Sequence, residues 1–457
     1  MSISFKNFKK EFYSKFNNFK IFEGKEFNYF KIALEGLKVN YYNKGKFSTS
    51  IFYSKYKYYF FYYIYRTKKV LSGELSRYKS HIEISKKNKS PEYFLLDSGR
   101  SIKNLKGEEV PIFFSRLFKS LKSKHLVFYA SENTINGYNL FDDVYSDLNS
   151  LGNSISHKYS KEIRIDINKV FQRINNESSF SEVDLKNIKC AFQKFYNEAV
   201  FWLNILEYLN PKNILMICHY HKEGLIFAAK RLNIKIIEYQ HGLISKSDVF
   251  YNFPDQIKGI KKDCLFADEI MVYGDHWKKI VLEGNSYNLD QIKLTTYFQY
   301  FRNKPLSFEK KLIEEFIGKR KVVFICSQTY LTNYFIIYSK RLLKLLDYNY
   351  CIILKHHPNE NFADYELFDT NPNIFVTNIP IDVIFPYVSY HLTIYSSTAF
   401  DALRYNLATY YIYVEQCSDY IYDLQNILGG YVIKDYNEKP WEIKTKLNVQ
   451  SDNFYKI

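Results

Sequence analysis

Two short groups in the C-terminal third combine residue types and placement suited to holding an anion. His357 and Pro358 close a β-rich run, CIILKHHPNE. Ser396, Ser397 and Thr398 open a helical pattern within HLTIYSSTAFDALRYNL, where Phe400, Leu403 and Leu407 share one face. Hydroxyls and unpaired N–H groups at a helix start attract a phosphate, because the helix dipole and the free amides point the same way. An imidazole at the C-terminal end of a neighbouring strand can donate to the same anion, and open α/β sheets bind ligands at that edge. The pair reads as a phosphate or diphosphate grip. Ser327 and Gln328 directly follow the run KVVFIC and are expected to line the same cleft. Each motif alone is also compatible with an ordinary strand end and an N-cap serine.

The N-terminal half supplies groups of another kind. After NILMICHY, which carries His219, come His221, Glu223 and Gly224; after KIIEYQ come His241 and Gly242. A carboxylate or imidazole at such a strand end can take a proton from an acceptor hydroxyl. A glycine beside it permits a sharp turn and a close backbone approach. Glu223 is equally readable as a first-turn acid that stabilises its helix, and His219 and His221 as residues that line the loop. Glu223 and His241 both stand as candidates for the base. A zinc site built from His219, His221 and His241 has no HExxH spacing behind it, and no metal is expected. The chain has no Walker loop, no GxGxxG and no GxSxG, so kinase, dehydrogenase and serine-hydrolase readings lack their defining parts.

These residues need a scaffold, and its rhythm is legible from about residue 124. HLVFYA (125–130), NILMICHY (213–220), KIIEYQ (235–240), ADEIMVYG (267–274) and QIKLTTYF (291–298) read as strands. Helical spacing fills 183–209 and EGLIFAAKRLNI (223–234). Parallel strands with right-handed crossovers follow. Polar residues 299–320 precede a second series of strands at 321–326, 351–355, 374–377, 391–395 and 409–414. The expected fold is α/β: two Rossmann-like domains, 1–300 and 301–457, that face an interdomain cleft. Residues 1–120 carry no motif of this kind. Their apolar run Tyr58–Tyr65 (YYFFYYIY) reads as a strand buried on both faces. The adjacent acids Asp142 and Asp143 lack the spacing of an Asp-x-Asp metal site.

Composition narrows the class. With 457 residues, 46% apolar and 25% charged, the chain is long enough for two ordinary domains and is not of the disordered type. Its 44 Tyr and 39 Phe are in part a compositional bias. A net charge of +16 suits anionic small substrates, an anionic membrane surface or nucleic acid. No RNA-binding signature or zinc-finger spacing accompanies it, so nucleic acid ranks last. The six cysteines form no CxxC pair, and buried free thiols in a reducing compartment are expected. No apolar run reaches bilayer-spanning length, and the N-terminus lacks the apolar core of a signal peptide. A cytoplasmic protein follows, with room for peripheral contact with the inner face of the cell membrane.

The order acidic-Gly, Gln-His-Gly, His-Pro, Ser-Ser-Thr resembles bacterial glycosyltransferases of the GT-B architecture that build capsules and lipopolysaccharide. It resembles bacterial sialyltransferases and polysialyltransferases, which carry an acidic-acidic-Gly, an HP and a Ser-Ser/Thr motif in this order. IEYQHGLI also resembles capsule and O-antigen transferases, and in placement the WHG of CDP-glycerol phosphotransferases. The likeness covers about residues 210–415. It implies Glu223 as general base, His357 acting on the donor phosphate and leaving group, and Ser396 and Ser397 holding that phosphate. Lys222 stands where the family has its first acid, so the acidic motif is half present. Together these readings point to an inverting, metal-independent transferase without a resident cofactor. The preferred donor is a CMP-linked acidic sugar, sialic acid-like or Kdo-like, and the acceptor a bacterial surface glycan or its lipid-linked form. A CDP-alditol phosphotransferase, a nucleotide-sugar 2-epimerase and a catalytically silent scaffold of polysaccharide assembly are the alternatives.

Overall fold

The computed structural model describes residues 19–44, 91–97, 101–103, 109–111, 113–114, 117, 121, 127–131, 154–177, 179–246, 248, 250–255, 257, 264–295, 307–357 and 360–448. The run Tyr58–Tyr65, the pair Asp142-Asp143 and Pro358 lie outside the described residues.

Two six-stranded parallel sheets organise the chain. The first contains β1 (Tyr93–Asp97), β4 (Val127–Ser131), β5 (Asn213–Ile217), β6 (Lys235–Tyr239), β7 (Glu269–Val272) and β8 (Ile292–Leu294), in the order β4-β1-β5-β6-β7-β8. The short strands β2 (Ser101–Lys103) and β3 (Glu109–Pro111) form a separate antiparallel pair. The second sheet contains β9 (Lys321–Cys326), β10 (Tyr350–Lys355), β11 (Ile374–Thr377), β12 (Val388–Thr393), β13 (Thr409–Ile412) and β14 (Tyr431–Ile433), in the order β11-β10-β9-β12-β13-β14. That is the Rossmann order, with successive crossovers leaving β9 on opposite sides. Strands such as VVFIC and CIIL are buried along their length, as expected where helices cover both faces of a parallel sheet. The expected α/β architecture of two Rossmann-like halves is the one observed, and β14 is a strand that the periodicity does not announce.

The helices are α1 (Phe30–Lys44), α2 (Ser154–Asn175), α3 (Glu182–Leu209), α4 (Glu223–Arg231), α5 (Asp275–Glu283), α6 (Ser307–Ile317), α7 (Thr332–Leu345), α8 (Ile381–Ile384), α9 (Thr398–Leu403) and α10 (Ser418–Leu428). Helix α3 starts at a capping box, in which the Ser181 hydroxyl accepts from the Asp184 N–H and the Asp184 carboxylate accepts from the Ser181 N–H. It stops at Asn210, whose φ is 43°. Gly224 belongs to packing rather than to a turn. A Cβ there would lie 2.5 Å from Glu198 Cβ and 2.8 Å from Ala199 N, so the missing side chain lets α4 lie directly on α3. Gly242 differs, because a Cβ at that position meets nothing within 4 Å.

The two halves meet where Trp277, in the first turn of α5, packs on Phe400 in the first turn of α9, with ring centroids 4.8 Å apart. Both helices follow the C-terminal ends of their strands, so the C-terminal edges of the two sheets come together on this side. Helix α9 ends at Leu403, and the chain turns away through Asn406 at φ 56°. Leu407 therefore lies beyond the helix rather than on the face of Phe400 and Leu403. Among the described residues, Cys190 is exposed and the other five cysteines are buried free thiols. No helix among them is long and apolar enough to cross a membrane.

Candidate functional site

In the second sheet, the switch point lies between β9 and β12, and the chain ends of both strands meet there. Gln328 ties them together, because its Oε1 accepts from the Tyr395 N–H at 2.8 Å. Beside them, at the end of β10, His357 is half-buried and directs Nδ1 to the Thr329 hydroxyl at 2.8 Å. The His357 N–H lies 3.0 Å from Ser327 Oγ and 2.7 Å from Glu360 Oε2. Glu360 is a hub that the sequence motifs did not single out. Its carboxylate also accepts from the hydroxyls of Ser327, Thr332 (2.6 Å) and Tyr365 (3.1 Å). Its four donors come from the loop after β9, the start of α7, the His357 backbone and the turn after β10, so one carboxylate fixes the whole rim. The signal was present: a glutamate three residues after His357 in HPNE. Next to Thr329, Tyr330 is exposed and holds φ 72°, a costly conformation for an aromatic residue.

Ser396 is half-buried and Ser397 exposed at the start of α9, and Ser396 Oγ accepts from the Thr398 N–H at 3.3 Å. Thr398 departs from the expected role. Its hydroxyl turns inward to Nε2 of the buried His391 at 3.2 Å, while His391 Nδ1 faces the Thr409 hydroxyl at 2.9 Å. Burial pushes His391 down to about 3, so its ring is neutral and structural. Thr398 anchors α9 to the sheet, and the outward hydroxyls are those of Ser396 and Ser397.

Asp401 lies one turn further on, 6% exposed, with Oδ1 in no hydrogen bond. Burial raises its carboxyl to about 7; Arg404 opposes the shift and Asp382 adds to it. A carboxyl with a raised folded pKa favours the native state while protonated, so this contribution is complete below the unfolded value and shrinks as pH rises from about 4 to about 7. Asp401→Asn should flatten that part of the stability curve. A gain of about 2 kcal/mol at pH 8 is expected after the amide's own unpaired burial is counted. Denaturant titrations at pH 5 and pH 8 check this, and an equal loss at both would show that the carboxylate is paired.

At the C-terminal edge of the first sheet, the loop Cys218–Lys222 follows β5 beside the β1/β5 switch point. Cys218 (φ 48°) and His221 (φ 62°) are both left-handed there. The three histidines of the imagined zinc site go separate ways. His219 is fully buried and does not line a cleft: Nδ1 is 2.8 Å from Glu238 Oε2 and Nε2 is 3.1 Å from the Phe250 carbonyl. His221 is about half exposed, with Nδ1 2.9 Å from Glu35 Oε2. His241 is half-buried, with Nδ1 3.3 Å from the Tyr220 hydroxyl. Among the described residues, no group of three or more His, Cys, Asp or Glu side chains is arranged to hold a metal. Glu223, the expected base, is 5% exposed, and its Oε1 lies 3.5 Å from Nζ of the buried Lys31. Its carboxylate faces the α1 side of the domain. The turn that carries His241 is set by Gln240, whose side chain accepts from the Tyr273 N–H at 3.0 Å and donates to the Gly242 carbonyl at 2.8 Å.

A groove of about 480 Å³ lined by Ser389, Tyr390, Ala408 and Tyr410 lies at the opposite, N-terminal ends of β12 and β13, away from these groups.

Two Rossmann-like domains with polar side chains gathered at their strand ends define the class of protein. No family model and no curated protein matches the chain. Among solved structures it is similar to S. aureus MnaA in complex with UDP, at 11% identity over 70% of this chain and 78% of that one, with a TM-score of 0.42. The spinosyn rhamnosyltransferase SpnG complexed with thymidine diphosphate matches at 11% identity, 75% and 86% coverage and a TM-score of 0.43. Acinetobacter baumannii MurG matches at 11% identity, 55% and 68% coverage and 0.35. At such identities and scores the likeness carries no weight for any side chain described above.

Proposed function

We propose that the chain is a glycosyltransferase of GT-B-like design that moves a sugar from a nucleotide donor to a glycan acceptor. The observation that carries this reading is the C-terminal edge of the second sheet around the switch point between β9 and β12. His357, braced by Thr329 and Glu360, follows the end of β10 there, and the hydroxyls of Ser396 and Ser397 follow the end of β12. A departing nucleotide phosphate needs donors preorganised where its charge develops, and an imidazole with two hydroxyls at a sheet switch point supplies them. Ser327 and Gln328 shape this edge, and Thr398 holds the helix that presents the serines. Across the junction, the loops after β5 and β6 offer His221 and His241 to an acceptor. The +16 charge suits an acidic sugar such as a CMP-linked sialic acid-like or Kdo-like donor. It also suits an anionic, lipid-linked surface glycan met at the inner face of the cell membrane.

The test is a release assay with CMP-, UDP-, GDP- and CDP-linked donors, with and without acceptor glycans. CMP release supports the donor preference, and transfer of an alditol phosphate from a CDP donor would move the chain to the phosphotransferases. No release from any donor would leave a scaffold. Because His357 and the serines do the work that a divalent cation does elsewhere, EDTA should leave most of the turnover intact. Complete loss, restored by Mg²⁺ or Mn²⁺, would overturn the metal-independent form of the reading.

A further inference from the structure

We propose that His221, held by Glu35, takes the proton from the acceptor hydroxyl. This inference rests on the glycosyltransferase reading and names its base. The carboxylate of Glu35 accepts only, so at 2.9 Å it fixes the proton on His221 Nδ1 and leaves the lone pair of the neutral ring on Nε2. Among the described residues, Nε2 makes no hydrogen bond. The side chain is 46% exposed and stands beside the rings of Tyr220 and Phe250, with centroids 5.5 Å and 5.7 Å away. It sits at the C-terminal edge of the first sheet, next to its switch point, where ligands of such sheets bind.

The backbone supports the same assignment. His221 holds φ 62°, which costs a residue with a side chain energy that a glycine or asparagine would save. The two other candidates are placed less well. The Glu223 side chain is 7% exposed and faces Lys31, and His241 is half-buried with Nδ1 3.3 Å from the Tyr220 hydroxyl, beyond ordinary hydrogen-bond length.

The step balances. The acceptor O–H proton passes to Nε2 while the oxygen forms its bond to the anomeric carbon. The bond from that carbon to the donor phosphate oxygen breaks, and its electron pair leaves on the nucleotide. The imidazolium, stabilised by Glu35, then returns its proton to solvent. Glu35 acts through His221 and is a positioning residue. Among the described residues, the charged groups near the pair include Lys31 on α1, Lys194 and Glu198 on α3, Lys222 and Glu223 next along the chain, and Glu238 beside Lys31. Lys222 donates to the Ile217 carbonyl at 2.9 Å, and burial raises the Glu198 carboxyl to about 7.

The experiment compares wild type, His221→Asn and Glu35→Gln by transfer rate against pH, nucleotide binding by calorimetry, and thermal unfolding. Asparagine accepts the left-handed backbone, so His221→Asn should melt at or above the wild-type temperature and bind nucleotide within about twofold. Its transfer should fall about 100-fold or more, and the acid limb of the pH profile should vanish. Glu35→Gln should transfer about tenfold more slowly through kcat, with KM and nucleotide binding little changed, because the ring loses the acceptor that sets its tautomer. Near wild-type transfer by His221→Asn, or a matching loss of melting temperature and nucleotide binding, overturns the assignment. Absence of transfer by the wild type from every donor overturns the glycosyltransferase reading and this base with it. The two failures are distinguishable, since one appears in the wild type and the other only in the variant.

Discussion

His357→Ala should lower sugar transfer by about 10²- to 10⁴-fold, the range expected when one group that donates to developing phosphate charge is removed. Folding should survive. The His357 N–H contacts with Ser327 Oγ and Glu360 Oε2 belong to the backbone and persist in the variant, so the loop keeps its shape. What disappears is a half-buried ring and its bond to Thr329. The bond to Thr329 is worth about 1 kcal/mol of stability, one net hydrogen bond. Two companions separate charge donation from loop support. Thr329→Val keeps the volume but releases the ring, and should cost about tenfold in turnover with donor binding little changed. Glu360→Gln replaces an acceptor of four donors by an amide with one acceptor oxygen, and should raise KM as well as lower kcat, because the whole rim loosens. The measurements are steady-state turnover on the identified donor and unfolding in denaturant. Near wild-type turnover by His357→Ala, on a donor that the wild type uses, would place the phosphate elsewhere.

Most strands of the two sheets were legible because their side chains repeat every two residues or form short apolar runs between turn signals, and β9 and β10 are examples; β1 and β14 were not read. The end of α9 was not. Leu407 fits the helical period of Phe400 and Leu403, but the chain leaves the helix at Arg404 and local spacing carries no sign of it. The places of His357 and Ser396 were legible from local motifs, since a strand end and a helix start are read within a few residues. Thr398 was misread for the same reason. Its neighbours in sequence make it look like a phosphate ligand, while its partner His391 lies across the strand–helix turn and bonds its hydroxyl. Glu35 had no local signal at all, because its partner His221 arrives only after the first sheet is half built. Lys31 shows the same limit: it donates to the Leu265 carbonyl, 234 residues away. Residues whose meaning depends on such distant partners become visible only once the topology is known.

The largest effect on folding is expected at Glu238, a residue whose neighbour in QHG drew attention and which itself did not. Its carboxylate is fully buried and accepts from the His219 N–H at 3.1 Å, His219 Nδ1 at 2.8 Å, the Tyr251 hydroxyl at 2.5 Å and the Tyr287 hydroxyl. His219 Nε2 faces the Phe250 carbonyl, so both ring nitrogens meet groups that can only accept. Burial alone would raise the Glu238 carboxyl. The charge on His219 and the hydrogen bonds from His219, Tyr251 and Tyr287 outweigh it and hold the group below the ordinary carboxylate range. Glu238→Ala removes the shared acceptor and strands the His219 ring and two tyrosine hydroxyls in the core, so a loss of about 3–5 kcal/mol is expected. Glu238→Gln keeps the shape and some hydrogen bonds and should lose less. The pH dependence has a definite sign. A carboxylate with a depressed folded pKa contributes its stability above the unfolded value of about 4.5, and that contribution fades as pH falls through the lower folded value. The wild-type advantage over Glu238→Gln should therefore be constant from pH 6 to pH 8 and narrow below about pH 4. This network joins the ends of β5 and β6 to the segments that carry Phe250, Tyr251 and Tyr287, and His219 is two residues from His221. Loosening it should move the proposed base as well as weaken the fold. A variant with unchanged unfolding midpoints would show that the carboxylate is not the shared acceptor of these buried donors.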